Sequence, residues 1–169
     1  EDLNRVCSTD YYTGKIIKKN KQKDLAMIEV KGLPKRIKPV EFGKYKDVKV
    51  GETAFAIGHP NDLVWTFSDG RVSQKRPDYK WTYKNSRHKA NTIQINVNIN
   101  PGNSGGPLFN KNQKLIGVNT FTTEGENLNF AIAVDDLIEF INEVEQKDID
   151  SKYIKKKKKG NTWIQKKSD

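Results

Sequence analysis

The chain has 169 residues, which suits one domain or a two-lobed one, and 34% of them are hydrophobic. Its net charge of +10 is unevenly placed, because residues 152–169 hold eight lysines and one aspartate and the body before them carries only +3. A globular nucleic-acid-binding domain more often carries its charge on the folded body. The longest apolar runs have about five residues, far fewer than a membrane-spanning helix needs. The composition therefore predicts neither a nucleic-acid-binding domain nor a membrane-spanning protein as the main class.

Short segments of alternating polarity predict an all-β chain. Ile93, Ile95 and Val97 alternate with polar residues, as in a half-buried strand. Residues 64–74 predict a hairpin that turns tightly at Gly70, with this glycine in a left-handed conformation. Many short strands separated by turns favour a sandwich or a barrel. In chain order, the other predicted strands lie within residues 11–17, 24–30, 53–60, 92–99, 114–122 and 129–134.

The apolar period changes after residue 134. Asp136 and Glu139 form a capping-box pattern, and apolar residues follow at helical spacing. These patterns predict one C-terminal helix over residues 135–147. The lysine-rich residues 148–169 have little pattern and are predicted to be a disordered tail or a linker.

A glycine-rich loop, INPGNSGGPLFN at residues 99–110, places one serine between two apolar segments. A serine hydroxyl attacks an amide only with a base for its proton and donors for the oxyanion. Glycines let successive backbone N–H groups converge, so the loop can hold Ser104 beside donors from Gly102 and Ser104 itself. A surface turn or an anion-binding nest also fits so short a pattern, whereas no P-loop motif occurs.

Several ordered segments resemble the trypsin-like serine proteases, and most of all their HtrA/Deg branch. IQINVNINPGNSGGPLFNKNQKLIGVNT resembles the nucleophile region of that family, and KDLAMIEV its catalytic-aspartate segment. AFAIGHP followed by TFSDGRVS resembles the passage between its two barrels. The resemblance implies an all-β, trypsin-like double β-barrel with one C-terminal helix. The incomplete N-terminal barrel would occupy residues 1–60 and the C-terminal barrel residues 61–134.

The same resemblance implies a serine endopeptidase that acts on polypeptide substrates without a cofactor or metal. By position, Ser104 matches the nucleophile, Asp24 the triad acid, and Gly102, Asn103 and Ser104 the oxyanion hole. Uncharged Asn98 matches the base of the substrate pocket, which implies cleavage after small or medium apolar side chains. The implied pocket walls are Asn119, Thr120, Phe121, Thr122, Asn129, Phe130 and Ala131.

The triad also needs a histidine, which precedes the aspartate in this family. Both histidines of the chain, His59 and His88, follow Asp24. His59 matches a turn residue without a catalytic role, and His88 is predicted to be a solvated side chain in a polar loop. We expect a fragment cut after its histidine and inactive alone by the triad mechanism. A degenerate, inactive relative is the alternative.

A competing interpretation is a module that binds nucleic acids or other polyanions. Residues 75–89 contain six Lys or Arg and one Asp, with Tyr79, Trp81 and Tyr83 among them. Basic residues with interleaved aromatic rings can follow a phosphate backbone and stack on bases, although a solvated hairpin with its rings packed on the sheet is the favoured interpretation of this segment. The lysine-rich tail could add weak polyanion binding. A pseudoprotease scaffold that binds peptides is a third possibility.

The single cysteine, Cys7, excludes an internal disulfide and is predicted to be a small, half-buried hydrophobic residue. Relatives in the HtrA/Deg branch commonly act outside the cytoplasm, so the resemblance implies an extracytoplasmic location. The sequence leaves the natural substrate and the oligomeric state open.

Overall fold

The computed structural model of the chain describes residues 12–59, 66–123 and 128–143. These residues form an all-β fold with one α-helix, as predicted. Helix α1 covers 134–143, and a short 3-10 turn covers Tyr45–Asp47. Cys7 and the tail at 148–169 lie outside the described residues. The strands are β1 (Gly14–Asn20), β2 (Leu25–Val30), β3 (Thr53–Gly58), β4 (Thr66–Tyr83), β5 (Ser86–Ile95), β6 (Pro107–Asn110), β7 (Leu115–Thr122) and β8 (Asn129–Ala133).

Six antiparallel strands form a closed barrel in the order β3-β4-β5-β8-β7-β6. Ala54 of β3 pairs with Gly70 of β4 and with Asn110 of β6, and the second pairing closes the barrel. The sequence analysis ended the N-terminal barrel at residue 60 and therefore assigned β3 to it. In the structure, β3 pairs with β4 and β6 and belongs to the six-stranded barrel. The barrel core includes the buried residues Ala56, Val72, Ile93, Ile95, Val97, Leu108, Ile116 and Ala131.

Strands β1 and β2 form a separate two-stranded antiparallel sheet. Leu25, at the start of β2, is buried in a second apolar cluster with Ala90 of β5 and Phe140 of α1. The N–H of Lys89 donates a hydrogen bond of 2.9 Å to the carbonyl of Gln22 in the β1–β2 turn. These contacts hold the β1–β2 turn against one side of the barrel.

The predicted hairpin turn at Gly70 is wrong, because β4 runs through this residue without interruption. Gly70 is not among the described glycines with positive φ. A Cβ at this position would lie 2.6 Å from Asn96 Oδ1 and 2.9 Å from the nitrogen of Val97, so close approach of the chain after β5 requires glycine here. The β4–β5 hairpin turns instead at Lys84 and Asn85, whose φ angles are 43° and 66°.

Helix α1 begins at residue 134, directly after β8. The predicted capping role of Asp136 is wrong, because its carboxylate lies within the first helical turn and contacts other elements. Its Oδ1 is 2.7 Å from Nζ of Lys23, and its Oδ2 accepts a hydrogen bond of 2.6 Å from the N–H of Asn91 in β5. The residue therefore connects the helix to the β1–β2 turn and to the barrel.

Candidate active site

The loop between β5 and β6 holds Ser104 in a sharply bent backbone. Gly102 and Gly105 have φ angles of 104° and 84°, which glycine adopts at little steric cost. The N–H of Gly105 donates to the carbonyl of Asn119 at 2.7 Å, and the N–H of Asn119 donates to that of Gly106 at 2.9 Å. These two bonds anchor the loop on β7.

Asn103 is buried beneath the loop, with 1% of its surface exposed. Its Nδ2 donates to the carbonyl of Asn98 at 3.4 Å. A Cβ on Gly58 would come within 2.1 Å of Asn103 Oδ1. The last residue of β3 is therefore glycine because the asparagine occupies the space that a side chain would need.

Gly102 and Ser104 carry N–H groups that have no backbone acceptor among the described residues. The N–H of Asn103, by contrast, donates to the carbonyl of Asn100 at 3.0 Å. Donors without internal partners beside a hydroxyl are what an oxyanion hole requires. Gly102 and Ser104 thus remain the predicted donors, and the N–H of Asn103 is engaged within the loop.

Asp24 lies at the end of the β1–β2 turn and faces Thr120 of β7. Thr120 Oγ1 donates a hydrogen bond of 2.6 Å to Asp24 Oδ2. The carbonyl of Thr120 accepts a hydrogen bond of 3.0 Å from Ser104 Oγ. All three residues line one cavity of about 470 Å³. The structure therefore brings Ser104 and Asp24 to one site, although 79 sequence positions separate them.

The predicted pocket residues divide into two groups. Thr120, Phe121 and Thr122 line the cavity, whereas Asn98 has an exposed side chain outside it. The other four are buried in or beneath the barrel wall and do not line the cavity: Asn119, Asn129, Phe130 and Ala131.

The sequence predicted that His88 is a solvated side chain in a polar loop, and this prediction is wrong. It belongs to β5, pairs with Trp81 of β4, and lines the same cavity as Ser104 and Asp24. Its ring stacks on Trp81 with centroids 5.0 Å apart, and its Nδ1 is buried with no hydrogen-bond partner among the described residues. Tyr79 and Trp81 alternate with polar residues in β4, which was the signal that the neighbouring residues 86–95 pair with them as a second strand.

Lys23, which precedes Asp24, was missed by the sequence interpretation. Its ammonium contacts Asp136, with Nζ and Oδ1 2.7 Å apart, and also Glu139. Burial lowers the pKa of Lys23, but hydrogen bonds to both carboxylates and their negative charges outweigh burial and raise the pKa above its ordinary value. The short turn sequence alone gave no signal of this long-range ion pair.

In the part of the chain that the structure describes, no group of three or more His, Cys, Asp or Glu side chains is placed to hold a metal ion. The cavity brings together a hydroxyl, a carboxylate and the imidazole of His88, beside the backbone N–H groups of the loop. A hydroxyl beside backbone donors is one part of what acyl transfer requires, and a positioned base is the other.

The family model described as "Trypsin-like peptidase domain" matches residues 7–118 of the chain. The chain belongs to the trypsin-like peptidases. Its resemblance to the HtrA/Deg branch is also confirmed. "Protease Do-like 5, chloroplastic" of Arabidopsis thaliana is 35% identical over 131 residues, and a "Probable periplasmic serine endoprotease DegP-like" of Pseudomonas putida is 35% identical over 150 residues.

The crystal structure of Deg5 has the same fold as this trypsin-like peptidase. Its TM-score is 0.62 at 34% sequence identity, and the match covers 75% of this chain and 57% of that chain. The match to the Arabidopsis protein covers 74% of this chain and 40% of the relative. For the Pseudomonas protein, the shares are 86% and 30%. The chain thus spans less than half the length of these two curated relatives.

Proposed function

We propose that this trypsin-like peptidase chain belongs to a serine endopeptidase in which Ser104 is the nucleophile and Asp24 orients the base. One observation carries the proposal: Thr120 accepts from the Ser104 hydroxyl and donates to the Asp24 carboxylate at a single cavity. The Pseudomonas relative is named a serine endoprotease, which supports peptide-bond hydrolysis as the reaction.

In the proposed reaction, Ser104 Oγ attacks the scissile carbonyl carbon while a base takes its proton. The N–H groups of Gly102 and Ser104 stabilise the oxyanion of the tetrahedral intermediate. The base then returns the proton to the leaving amine, and water hydrolyses the acyl-enzyme by the same steps. Asp24 holds the base in the required tautomer and orientation.

The base itself is the open part of this proposal. No histidine precedes Asp24 in the sequence, and among the described residues His88 makes no hydrogen bond to Asp24 or Ser104. The proposal therefore needs a histidine that enters the cavity between Asp24 and Ser104. In the described part of the chain, Ser104 Oγ donates to the Thr120 carbonyl and makes no hydrogen bond to His88.

Replacing the hydroxyl tests the assignment. In the full-length protein, Ser104→Ala should abolish casein cleavage without lowering the melting temperature, because the loop is held by backbone bonds. Ser86→Ala, at an exposed position of β5, is the matched control and should cleave normally. Undiminished cleavage by purified Ser104→Ala would rule out the nucleophile assignment. An inactive but folded wild-type protein would favour the pseudoprotease alternative.

The cavity walls support a preference for small or medium apolar side chains before the scissile bond. Ile99, Pro101 and Phe121 provide apolar surface, and Thr120 and Thr122 complete this side of the cavity without charge. Asp24 also lines this cavity, but in the proposed reaction its carboxylate orients the base. A charged substrate side chain would thus lose hydration here without gaining a dedicated counter-ion. We therefore assign the substrate pocket to this part of the cavity.

Polyanion binding by residues 75–89 is less well supported. Trp81 packs on Phe121 with ring centroids 4.6 Å apart, and Tyr79 packs on Phe130 at 5.2 Å. Rings committed to the sheet are poor platforms for nucleobases, which leaves Tyr83, 60% exposed, as the accessible ring. The contribution of the lysine-rich tail concerns residues outside the described part.

The names of two relatives place them in the chloroplast and the periplasm. We propose on that ground that this protein also acts outside the cytoplasm. Among the described residues, no helix has the length and apolar composition that crossing a membrane requires.

A further inference from the structure

Building on the function proposed above, we propose that Lys23 is a positioning residue for Asp24. By this account, Lys23 anchors the β1–β2 turn to the first turns of helix α1. The helix thereby helps to set the direction in which the Asp24 carboxylate points.

The β1–β2 turn depends on few contacts for its position. The β1–β2 sheet shares no ladder with the barrel strands. Besides the backbone bond from Lys89 to Gln22 and the packing of Leu25 against Ala90 and Phe140, polar side chains connect the turn to the barrel and to α1. Asp24 itself has a φ of 55°, a left-handed conformation that is uncommon for non-glycine residues, although Asp adopts it more readily than most.

Lys23, the residue directly before Asp24, restrains the position of the turn through its ion pairs with helix α1. Its side chain is 16% exposed, and that of its partner Asp136 is 6% exposed, with Nζ and Oδ1 2.7 Å apart. Glu139 contacts the same ammonium. Because Asp136 also accepts the N–H of Asn91 at 2.6 Å, the ion pair connects the turn to β5 as well as to α1. A largely desolvated pair with two anchors fixes geometry more tightly than an exposed one.

The effect on Asp24 would be positional rather than electrostatic. The positive charge of Lys23 is directed to Asp136 and Glu139, whereas the recorded partner of the Asp24 carboxylate is the Thr120 hydroxyl. Removing the ammonium therefore removes an anchor from the residue next to Asp24 and leaves the hydrogen bond at its carboxylate chemically possible.

Lys18 offers a matched control on the same hairpin. Its Nζ lies 3.1 Å from Glu143 Oε2 and 3.1 Å from the carbonyl of Phe140 on helix α1. Its side chain is 15% exposed, almost the same as that of Lys23. Lys18→Met and Lys23→Met therefore each remove a half-buried tie between β1–β2 and α1, but only Lys23 adjoins Asp24.

The first test needs no catalysis and uses the 169-residue chain. The ¹³C resonance of the Asp24 carboxyl carbon is measured in the wild type, Lys23→Met, Lys23→Arg and Lys18→Met, with Thr120→Val marking the position without the hydrogen bond. Lys23→Met should move the resonance toward the Thr120→Val position. Lys18→Met and Lys23→Arg should stay near the wild type. An unmoved resonance in folded Lys23→Met would overturn the proposal even if its melting temperature fell.

The second test uses the full-length enzyme. Lys23→Met should lower kcat about 10- to 100-fold with little change in KM, the size expected for a displaced catalytic group. Glu139→Gln, which leaves Asp136 in place, should lower kcat less, and Lys23→Arg should restore most of it. An equal loss in Lys18→Met would overturn the proposal, since general docking would then explain both. Activity retained in Ser104→Ala would instead refute the proposed function, while the resonance would still decide the role of Lys23.

Discussion

Thr120 Oγ1 donates a hydrogen bond of 2.6 Å to Asp24 Oδ2 and thereby joins the β1–β2 turn to strand β7. The carbonyl of the same threonine accepts the Ser104 hydroxyl at 3.0 Å. One residue of β7 therefore contacts both proposed catalytic side chains. Thr120 lies at a register shift of β7, between Asn119 and Phe121, which both pair with β8. A strand of the barrel thus carries the residue that connects the nucleophile and the acid.

Replacing Thr120 by valine should lower kcat in the full-length enzyme and leave the fold intact. The substitution keeps the side-chain shape and removes a hydrogen bond to a carboxylate, a type of bond with a net value of about 1.5–3 kcal/mol. If most of that value is expressed in the transition state, kcat falls by about one to two orders of magnitude. Steady-state kinetics with a peptide substrate measures the change.

Two variants serve as controls for that experiment. Thr120→Ser keeps the hydroxyl and should retain most of the activity. Thr82→Val changes an exposed threonine of β4 that does not line the cavity and should leave kcat nearly unchanged. Wild-type kcat in Thr120→Val would show that Asp24 needs no donor at this position.

Gly58→Ala should destabilise the fold and impair the Ser104 loop together. The added Cβ would lie 2.1 Å from Asn103 Oδ1 and 3.1 Å from Asn103 Cα, so the loop must shift. Overpacking of this kind costs about 1–3 kcal/mol. Urea denaturation would measure the loss in unfolding free energy, and peptide hydrolysis the loss in activity. Thr53→Ala, at the exposed start of the same strand, is the control. Unchanged stability and activity in Gly58→Ala would mean that the loop has spare room.

The sequence predicted those parts of the fold that depend on local alternation and on the glycine-rich loop. Ile93 and Ile95 are buried in β5, as their alternation predicts. Their neighbours Thr92 and Gln94 are buried as well, so this part of the strand is covered on both faces and not half-buried as predicted. Ser104 and Asp24 were placed by family resemblance, and the structure adds the threonine that connects them. Thr120 was predicted only as a pocket wall, since a hydrogen bond across 96 positions leaves no local pattern.

Two errors came from applying local rules where long-range packing decides. SDG has the composition of a tight turn, yet Gly70 lies inside β4 because Asn96 and Val97 approach it closely. The polar composition around His88 suggested a loop, yet pairing with Trp81 makes the segment a strand. In both cases the deciding contact lies across a strand pair, where sequence neighbours carry no information.

The stability of the chain should fall as pH rises above about 10. Burial raises the pKa of Tyr45 above its ordinary 10.0, and the charges of Asp136 and Asp135 raise it further. The pKa of Lys23 is also raised above its ordinary 10.5, since its carboxylate partners outweigh burial. The folded state therefore keeps these two protons at a pH where the unfolded state releases them, so stability is full below the ordinary values and declines as pH rises through the raised ones.

Melting temperatures measured from about pH 8 to about pH 11 would show this decline. Lys23→Met should be less stable at pH 8 and show a shallower alkaline slope, because one of the linked protons is gone. Lys80→Met, at an exposed position of β4, is the control and should follow the wild-type slope. An equally steep decline in Lys23→Met would contradict the linkage at that residue.

Asn98→Asp should not create a preference for cleavage after Lys or Arg. The side chain of Asn98 is exposed and lies outside the cavity, and its carbonyl accepts from Asn103 Nδ2. Thr122→Asp puts a carboxylate on the cavity wall and should raise cleavage after basic residues. A peptide library with varied residues before the scissile bond compares the two variants. A new preference for Lys or Arg in Asn98→Asp but not in Thr122→Asp would show that Asn98 forms the base of the substrate pocket, as the family resemblance implies.

A fluorophosphonate probe should label Ser104 slowly in the 169-residue chain and rapidly in the full-length protein. Labelling needs a neighbouring base and an oxyanion hole, and loss of one triad member typically costs several orders of magnitude in rate. In the chain, Ser104 Oγ donates to the Thr120 carbonyl, and His88 stacks on Trp81 with no hydrogen bond to either catalytic side chain. His88→Ala should therefore leave the slow rate unchanged. Rapid labelling of the 169-residue chain that disappears in His88→Ala would instead identify this cavity-lining histidine as the base, because it is the histidine that shares the cavity with Ser104 and Asp24 in the described part of the chain.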